Sequence, residues 1–155
     1  MLVVVVGVLG LAATAFADVY DSEAIGPLHA RMTDKELTKL LGKPTKRGKP
    51  EQEGATGEWV SAWEWKDASA LVVSDHEKGP WAARDVSGSR KAWKTKKGIH
   101  VGSTRSDVEK AYPRSPDDPP LQDNDQYLVG SPYGGMLIFL KQDRVESISI
   151  GVFAF

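Results

Sequence analysis

The chain has no cysteine, and that absence excludes several functions at once. There can be no disulfide staple, no thiol nucleophile, and no attachment point for the lipid that bacterial lipoproteins carry on a cysteine after the leader. No lipid anchor is expected. Histidine is also scarce, with His29, His76 and His100 the only three, and none has the spacing of an H-E-x-x-H site. The acidic pairs Asp117 with Asp118 and Asp123 with Asp125 lack the glycine and distal glutamate of a calcium loop. Neither a metal nor a cofactor is expected. An excess of charge of one sign is missing too. Lys and Arg number 20 against 21 Asp and Glu, a net charge of -1, which removes the broad electrostatic case for nucleic acid. There is no G-x-S-x-G elbow and no phosphate-cradling glycine loop, so the chain reads as a non-enzyme.

What is present begins with a run of apolar residues. Residues 1–17, MLVVVVGVLGLAATAFA, end in the small-x-small pattern Ala15, Phe16, Ala17, which reads as a signal peptide cleaved before Asp18. The run lacks an N-terminal Lys or Arg, which keeps an uncleaved anchor open, but it is short for a membrane span. The expected location is periplasmic or secreted.

Residues 32–44, MTDKELTKLLGKP, carry the marks of a short amphipathic helix. Thr33 and Glu36 make a capping box, Leu37, Leu40 and Leu41 share one face, Gly42 supplies a left-handed end, and Pro44 stops further helix. The pattern returns in residues 99–113, IHVGSTRSDVEKAYP, where Thr104, Asp107, Val108, Ala111 and Tyr112 stand for Thr33, Glu36, Leu37, Leu40 and Leu41. Two similar units are implied.

After each helix the hydrophobic period shortens to two. EWVSAWEW from Glu58 and ALVVS from Ala70 read as strands in the first half; QYLVG from Gln126, MLIFL from Met136 and VESISIGVF from Val145 do so in the second. The four residues 141–144 read as a hairpin turn, and residues 43–58 and 113–125 as loops rich in Pro, Gly and charge. The fold class is α+β, each half a helical hairpin followed by an antiparallel meander. The first unit spans residues 18–95 and the second 96–155, with their junction near residues 93–98.

The stretch MTxxELxxLLGxP of residues 32–44 resembles the motif of the SmpA/OmlA (BamE)-like superfamily, and GIHVGSTxxDVxxAY of residues 98–112 is similar to the second copy found in its tandem members. The β-lactamase inhibitory protein has the same plan. The resemblance covers residues 25 to about 153 and implies two tandem repeats forming one curved sheet, helices on one face and a concave protein-binding face on the other. Arg31 stands where a glycine usually precedes Met-Thr, and Gly102 keeps that glycine in the second copy.

Candidate site residues follow from aromatics and charge. In EWVSAWEW the odd positions Trp59, Trp63 and Trp65 share one strand face, either packed under helices or open to a partner. On the binding-face reading Trp59, Trp63, Trp65, Tyr127, Phe139 and Phe153 contact the partner. In VESISIGVFAF, Ile148, Ile150 and Val152 suit a core, leaving Ser149, Gly151, Phe153 and Phe155 for a groove floor. His29 and His100 occupy equivalent positions, which points to the same local hydrogen bond in each unit. Arg90, Lys91, Lys94, Lys96 and Lys97 form a candidate basic docking patch around Trp93. The expected function is an exported protein-binding module, an inhibitor of a secreted or periplasmic enzyme such as a β-lactamase or an envelope-assembly scaffold. The partner is then a protein of the envelope or extracellular space, and a carbohydrate or cell-wall module, or a hydrolase, is the alternative.

Overall fold

In the computed structural model, residues 17–116, 118 and 124–153 are described. Residues 1–16 of the apolar run, Asp117, Asp123 and Phe155 lie outside the described residues. One antiparallel sheet holds eight strands: β1 (Lys46–Arg47), β2 (Glu51–Gln52), β3 (Trp59–Glu64), β4 (Ala68–Ser74), β5 (Ala82–Gly88), β6 (Gln126–Ser131), β7 (Gly134–Lys141) and β8 (Arg144–Gly151). Their order is β1-β3-β4-β5-β8-β7-β6, with β2 beside β3. Three short helices accompany it, α1 (Ala17–Ser22), α2 (Asp34–Leu41) and α3 (Arg105–Ala111). The fold is α+β. Among the described residues no helix is long and apolar enough to cross a membrane.

The local chemistry of α2 and α3 is the same. Thr33 accepts from the Glu36 N–H while Glu36 accepts from the Thr33 N–H, and Thr104 and Asp107 repeat the exchange. Those backbone bonds hold both the Glu36 and Asp107 carboxyls below the usual range. Entry to each helix is fixed by a strand: Arg31 N–H donates to Ala83 and Asp34 N–H to Trp81, while Gly102 N–H donates to Val145 and Arg105 N–H to Asp143. Arg31 and Gly102 both have positive φ, 65° and 98°. Only glycine adopts that backbone without cost, so Arg31 is held by its surroundings. His29 and His100 each place Nδ1 against the carbonyl of the following residue, at 2.8 and 3.1 Å, the shared local bond expected of them.

The strands form where alternation and turn chemistry agree. Gln142 and Asp143, both with positive φ, close the β7–β8 hairpin, with Lys141 facing Arg144. A register shift opposite Leu71 and Val72 leaves Arg84 extra on β5, and one opposite Phe139 and Leu140 leaves Glu146 extra on β8. Three expectations need correction. Residues 43–58 are not all loop, because β1 and β2 pair with the edge of β3. The second half has a single short helix, α3, in place of a helical hairpin, whereas in the first α1 and α2 are separated by the turns of residues 25–32, with positive φ at Gly26 and Arg31. The central strand β5, AARDVSG, has no counterpart in the sequence reading, since small residues and an Arg-Asp pair mask its alternation.

One contiguous core lies against one side of the sheet. It takes Trp63 from β3, Ala70 and Val72 from β4, Val86 from β5, Ile148 and Ile150 from β8, Met136 and Ile138 from β7 and Tyr127 from β6. Leu37 of α2 and Val108 of α3, both fully buried, belong to the same cluster. Trp63 is its aromatic hub, with ring centroids 6.3 Å from Trp65 and 6.5 Å from Trp81 and the Arg47 guanidinium 4.1 Å over its ring. Its indole N–H donates to Ser61 Oγ, and that of Trp65 to the Gly42 carbonyl at the end of α2. Trp63→Ala is expected to lower unfolding free energy by about 3–5 kcal/mol, whereas Thr104→Ala, which removes one helix cap, is expected to cost about 1 kcal/mol. Urea denaturation followed by circular dichroism measures both.

Candidate functional site

The alternation that sends Trp63 inward sends its neighbours to the other side of the sheet. Val60, Ala62 and Glu64 of β3 lie there with Ser69, Leu71 and Val73 of β4, Asp85 and Ser87 of β5, Ser147, Ser149 and Gly151 of β8, Leu137 and Phe139 of β7, and Leu128 of β6. None of the apolar members belongs to the core cluster. Val60, Leu71, Val73, Leu128 and Phe139 are half-buried and Ala62 is exposed. At the β3–β4 end this open side deepens into a depression of about 600 Å³, with Ala62, Leu71, Asp85, Ser87 and Ser147 among its lining.

The expected partner-contact residues divide between the two sides. Trp63 is 3% and Trp65 8% exposed, and Tyr127 is 2% exposed with its hydroxyl donating to the Tyr112 carbonyl at 2.6 Å. All three are core residues, a correction to the binding-face reading. The physical reason is area: an indole buries more apolar surface than any neighbour, and the strand turns its large side chains toward the helices and its small ones outward. Trp59 is half-buried and packs against the same core. Phe139 alone among the six lies within a strand on the open side, and Phe153, half-buried, follows β8 with its N–H on the Pro132 carbonyl. Val152, expected in the core row, is 38% exposed because β8 ends at Gly151.

Ser149 and Gly151 lie on the open side of the sheet, opposite Ile148 and Ile150, but do not line the depression. Ser149 faces Ser87 across the β5–β8 pairing, and their hydroxyls lie 2.5 Å apart. Gly151 lies beneath Asp85, whose carboxyl occupies the space a Cβ would need. Asp85 was not singled out by sequence; the signal was a charged pair set among small residues, ARDVSG, where a strand wants apolar ones. Its Oδ1 accepts from the Val152 N–H at 2.8 Å and its Oδ2 lies 3.7 Å from Arg84 Nε. Burial raises the Asp85 pKa, against the opposing pull of the Val152 bond and of Arg84. Arg84 in turn reaches Glu53 at 3.1 Å, so an Asp85–Arg84–Glu53 chain of charge ties β5 to the turn after β2.

This arrangement holds the Asp85 carboxyl, its pKa raised by burial, the Glu53 carboxyl, its pKa lowered by the hydrogen bond with Arg84, two hydroxyls bonded to each other, and flanking apolar residues. His29 and His100 sit at the helix entries, and among the described residues no cluster of three metal-binding side chains occurs. The basic run is exposed at Arg90, Lys91, Lys94, Lys96 and Lys97. Trp93 at its centre packs inward against Gly26 and Gly88.

Because the folded-state pKa of Asp85 lies above the ordinary 3.8, the folded protein binds that proton more tightly than the unfolded chain. The resulting stability is fully present below the ordinary value and is lost as pH rises through the folded one. Asp85→Asn is expected to remove this component of the decline between acid and neutral pH, measured as urea midpoints across that window; an unchanged pH profile would contradict it. Scans against protein-family profiles, characterised proteins and solved structures find no match to the chain.

Proposed function

We propose that the chain is an exported, non-enzymatic module that binds a protein partner on the open side of its sheet. On this reading the molecule is two tandem units, each a helix and a three-stranded meander, joined through β5 and β8 into one curved sheet with its helices on one face. The matching caps, helix entries and bulges of the two halves support the repeat. They fit the resemblance to the SmpA/OmlA (BamE)-like superfamily in the tandem form of the β-lactamase inhibitory protein. The leader of residues 1–17 supports a periplasmic or secreted location.

The observation that carries the binding role is the uncovered side of the sheet: Val60, Leu71, Val73, Leu128 and Phe139 stand half-exposed outside the core, interleaved with serines. Apolar patches ringed by polar groups on a folded surface mark contact sites. The binding reading thus keeps its face but moves from tryptophan to aliphatic side chains, Phe139 and serine. A sugar-binding module would stack its ligand on exposed indoles, and Trp63, Trp65 and Trp81 are buried. The partner is a protein of the envelope or the extracellular space, with a secreted enzyme such as a β-lactamase as one version and an envelope-assembly complex as the other.

The test immobilises the mature chain and retrieves partners from an envelope extract of the cells that make it. Ala62→Arg and Leu71→Arg are each expected to cost about 2 kcal/mol of binding, roughly thirtyfold in affinity, while Lys39→Glu on α2 leaves binding intact. Equal retention by all variants would contradict the open-side site. The inhibitor version is checked separately by the effect of the chain on hydrolysis of a chromogenic β-lactam.

A further inference from the structure

The connector between the two halves concentrates positive charge. Residues 86–106 contain six of the 20 Lys and Arg, together with His100, and no Asp or Glu. Folding pairs two of them, Arg90 with Asp67 and Arg105 with Asp143. Glu23, which approaches the connector, is buried, accepting from the Lys96 N–H and the Tyr112 hydroxyl. Asp107 is used by the Thr104 cap. Arg90 lies 3.5 Å from Asp67, but among the described residues Lys91, Lys94 and Lys96 form no ion pair and all three are exposed.

The connector is also built, not slack. Gly26 N–H donates to the Lys94 carbonyl, Trp93 N–H to Arg90, Thr95 N–H to Ile99, and Lys94 bridges His100. Trp93 anchors it from within, its ring against Gly26 and Gly88 and the Arg90 guanidinium stacked 4.6 Å away. The ammonium of Lys97 lies 4.8 Å over the Tyr112 ring. Held this way the backbone of this cationic belt is ordered before any ligand arrives, which lowers the ordering cost of binding.

The belt begins at the open side. Ser89 N–H donates to the Asp67 carbonyl in the β3–β4 turn, and both residues edge the depression lined by Ala62 and Leu71. We propose that this belt receives an acidic segment of the protein partner that occupies the open side, extending that interface past its rim; the inference rests on the protein-binding reading above. Two observations favour a peptide of that partner over a lipid surface. The belt adjoins the open side through Asp67 and Ser89, where the protein partner is proposed to sit. No large apolar side chain is exposed in the belt, since among the described residues those are Tyr133 and Val152, so it lacks the anchor an interfacial membrane site adds to its charge.

The test uses fluorescein-labelled decaglutamate and the mature chain, followed by fluorescence anisotropy at low and at near-physiological salt. Wild type is expected to bind the peptide with an affinity that falls several-fold as salt is raised, because the contact is electrostatic and screened. The triple variant Lys91→Glu, Lys94→Glu, Lys96→Glu is expected to lose at least about tenfold in affinity while its circular dichroism melt stays at the wild-type midpoint, as exposed charges contribute little to stability. Ala62→Arg, which blocks the open side, leaves decaglutamate binding unchanged, so a failed belt and a failed open face give different patterns. The proposal is overturned if decaglutamate does not bind, if the triple variant binds it as wild type does, or if anionic phosphatidylglycerol vesicles or polyphosphate bind under conditions where the peptide does not.

Discussion

The fold turns on three residue pairs. Val86 with Ile150, Ser87 with Ser149 and Gly88 with Ile148 are the whole of the β5–β8 pairing, and through them two three-stranded meanders become one sheet. On the core side the joint is as dry as any part of the protein, with Val86, Ile148 and Ile150 at 0–1% exposure. On the other side it is polar, held by the Ser87–Ser149 contact and by the Asp85 carboxyl over Gly151. A large residue at either serine, or any side chain at Gly151, would compete for that space. The same small residues that let the halves meet therefore also leave the open side flat at its centre, with its bulk in Leu71 and Phe139 to either hand.

Much of this was legible in the sequence, and the parts that were not share a cause. Helix ends are local events, so Thr33 with Glu36, Thr104 with Asp107 and the stop at Gly42 could be read from spacing alone. The β7–β8 hairpin and most strand positions were equally local. The matching caps were visible in the helices, whereas the bulges at Arg84 and Glu146 required the register. What spacing cannot supply is the sense of a face. The period-two pattern put Trp59, Trp63 and Trp65 on one side without saying which, and only the neighbouring strands and the Gly42 carbonyl that takes the Trp65 N–H decide it. β5 escaped because a central strand flanked on both sides can use small and charged residues, its stability coming from its neighbours rather than from its own side chains.

The candidate site shows the same division between local and distributed information. Ser149 and Gly151 were placed on the correct side by the aliphatic row of Ile148 and Ile150 beside them. Asp85 acquires its character from residues far away in sequence: a glycine on β8 that makes room for it, a Val152 N–H to bond, and an Arg84 shared with Glu53. The cationic connector is the intermediate case. Its charge is written in eight consecutive residues, while its rigidity comes from Gly26, Gly88 and His100.

The first helix carries a consequence for how the molecule comes together. Tyr20 bonds the Arg84 carbonyl across 64 residues of chain, Glu23 meets Tyr112 across 89, and Val19 packs on Gly130. Every surface that receives α1 is thus assembled from segments that emerge after it, the last of them close to the end of the chain. α1 therefore closes the chain's longest-range contacts, with Arg31, ten residues on, its local partner through Asp21 and Tyr20.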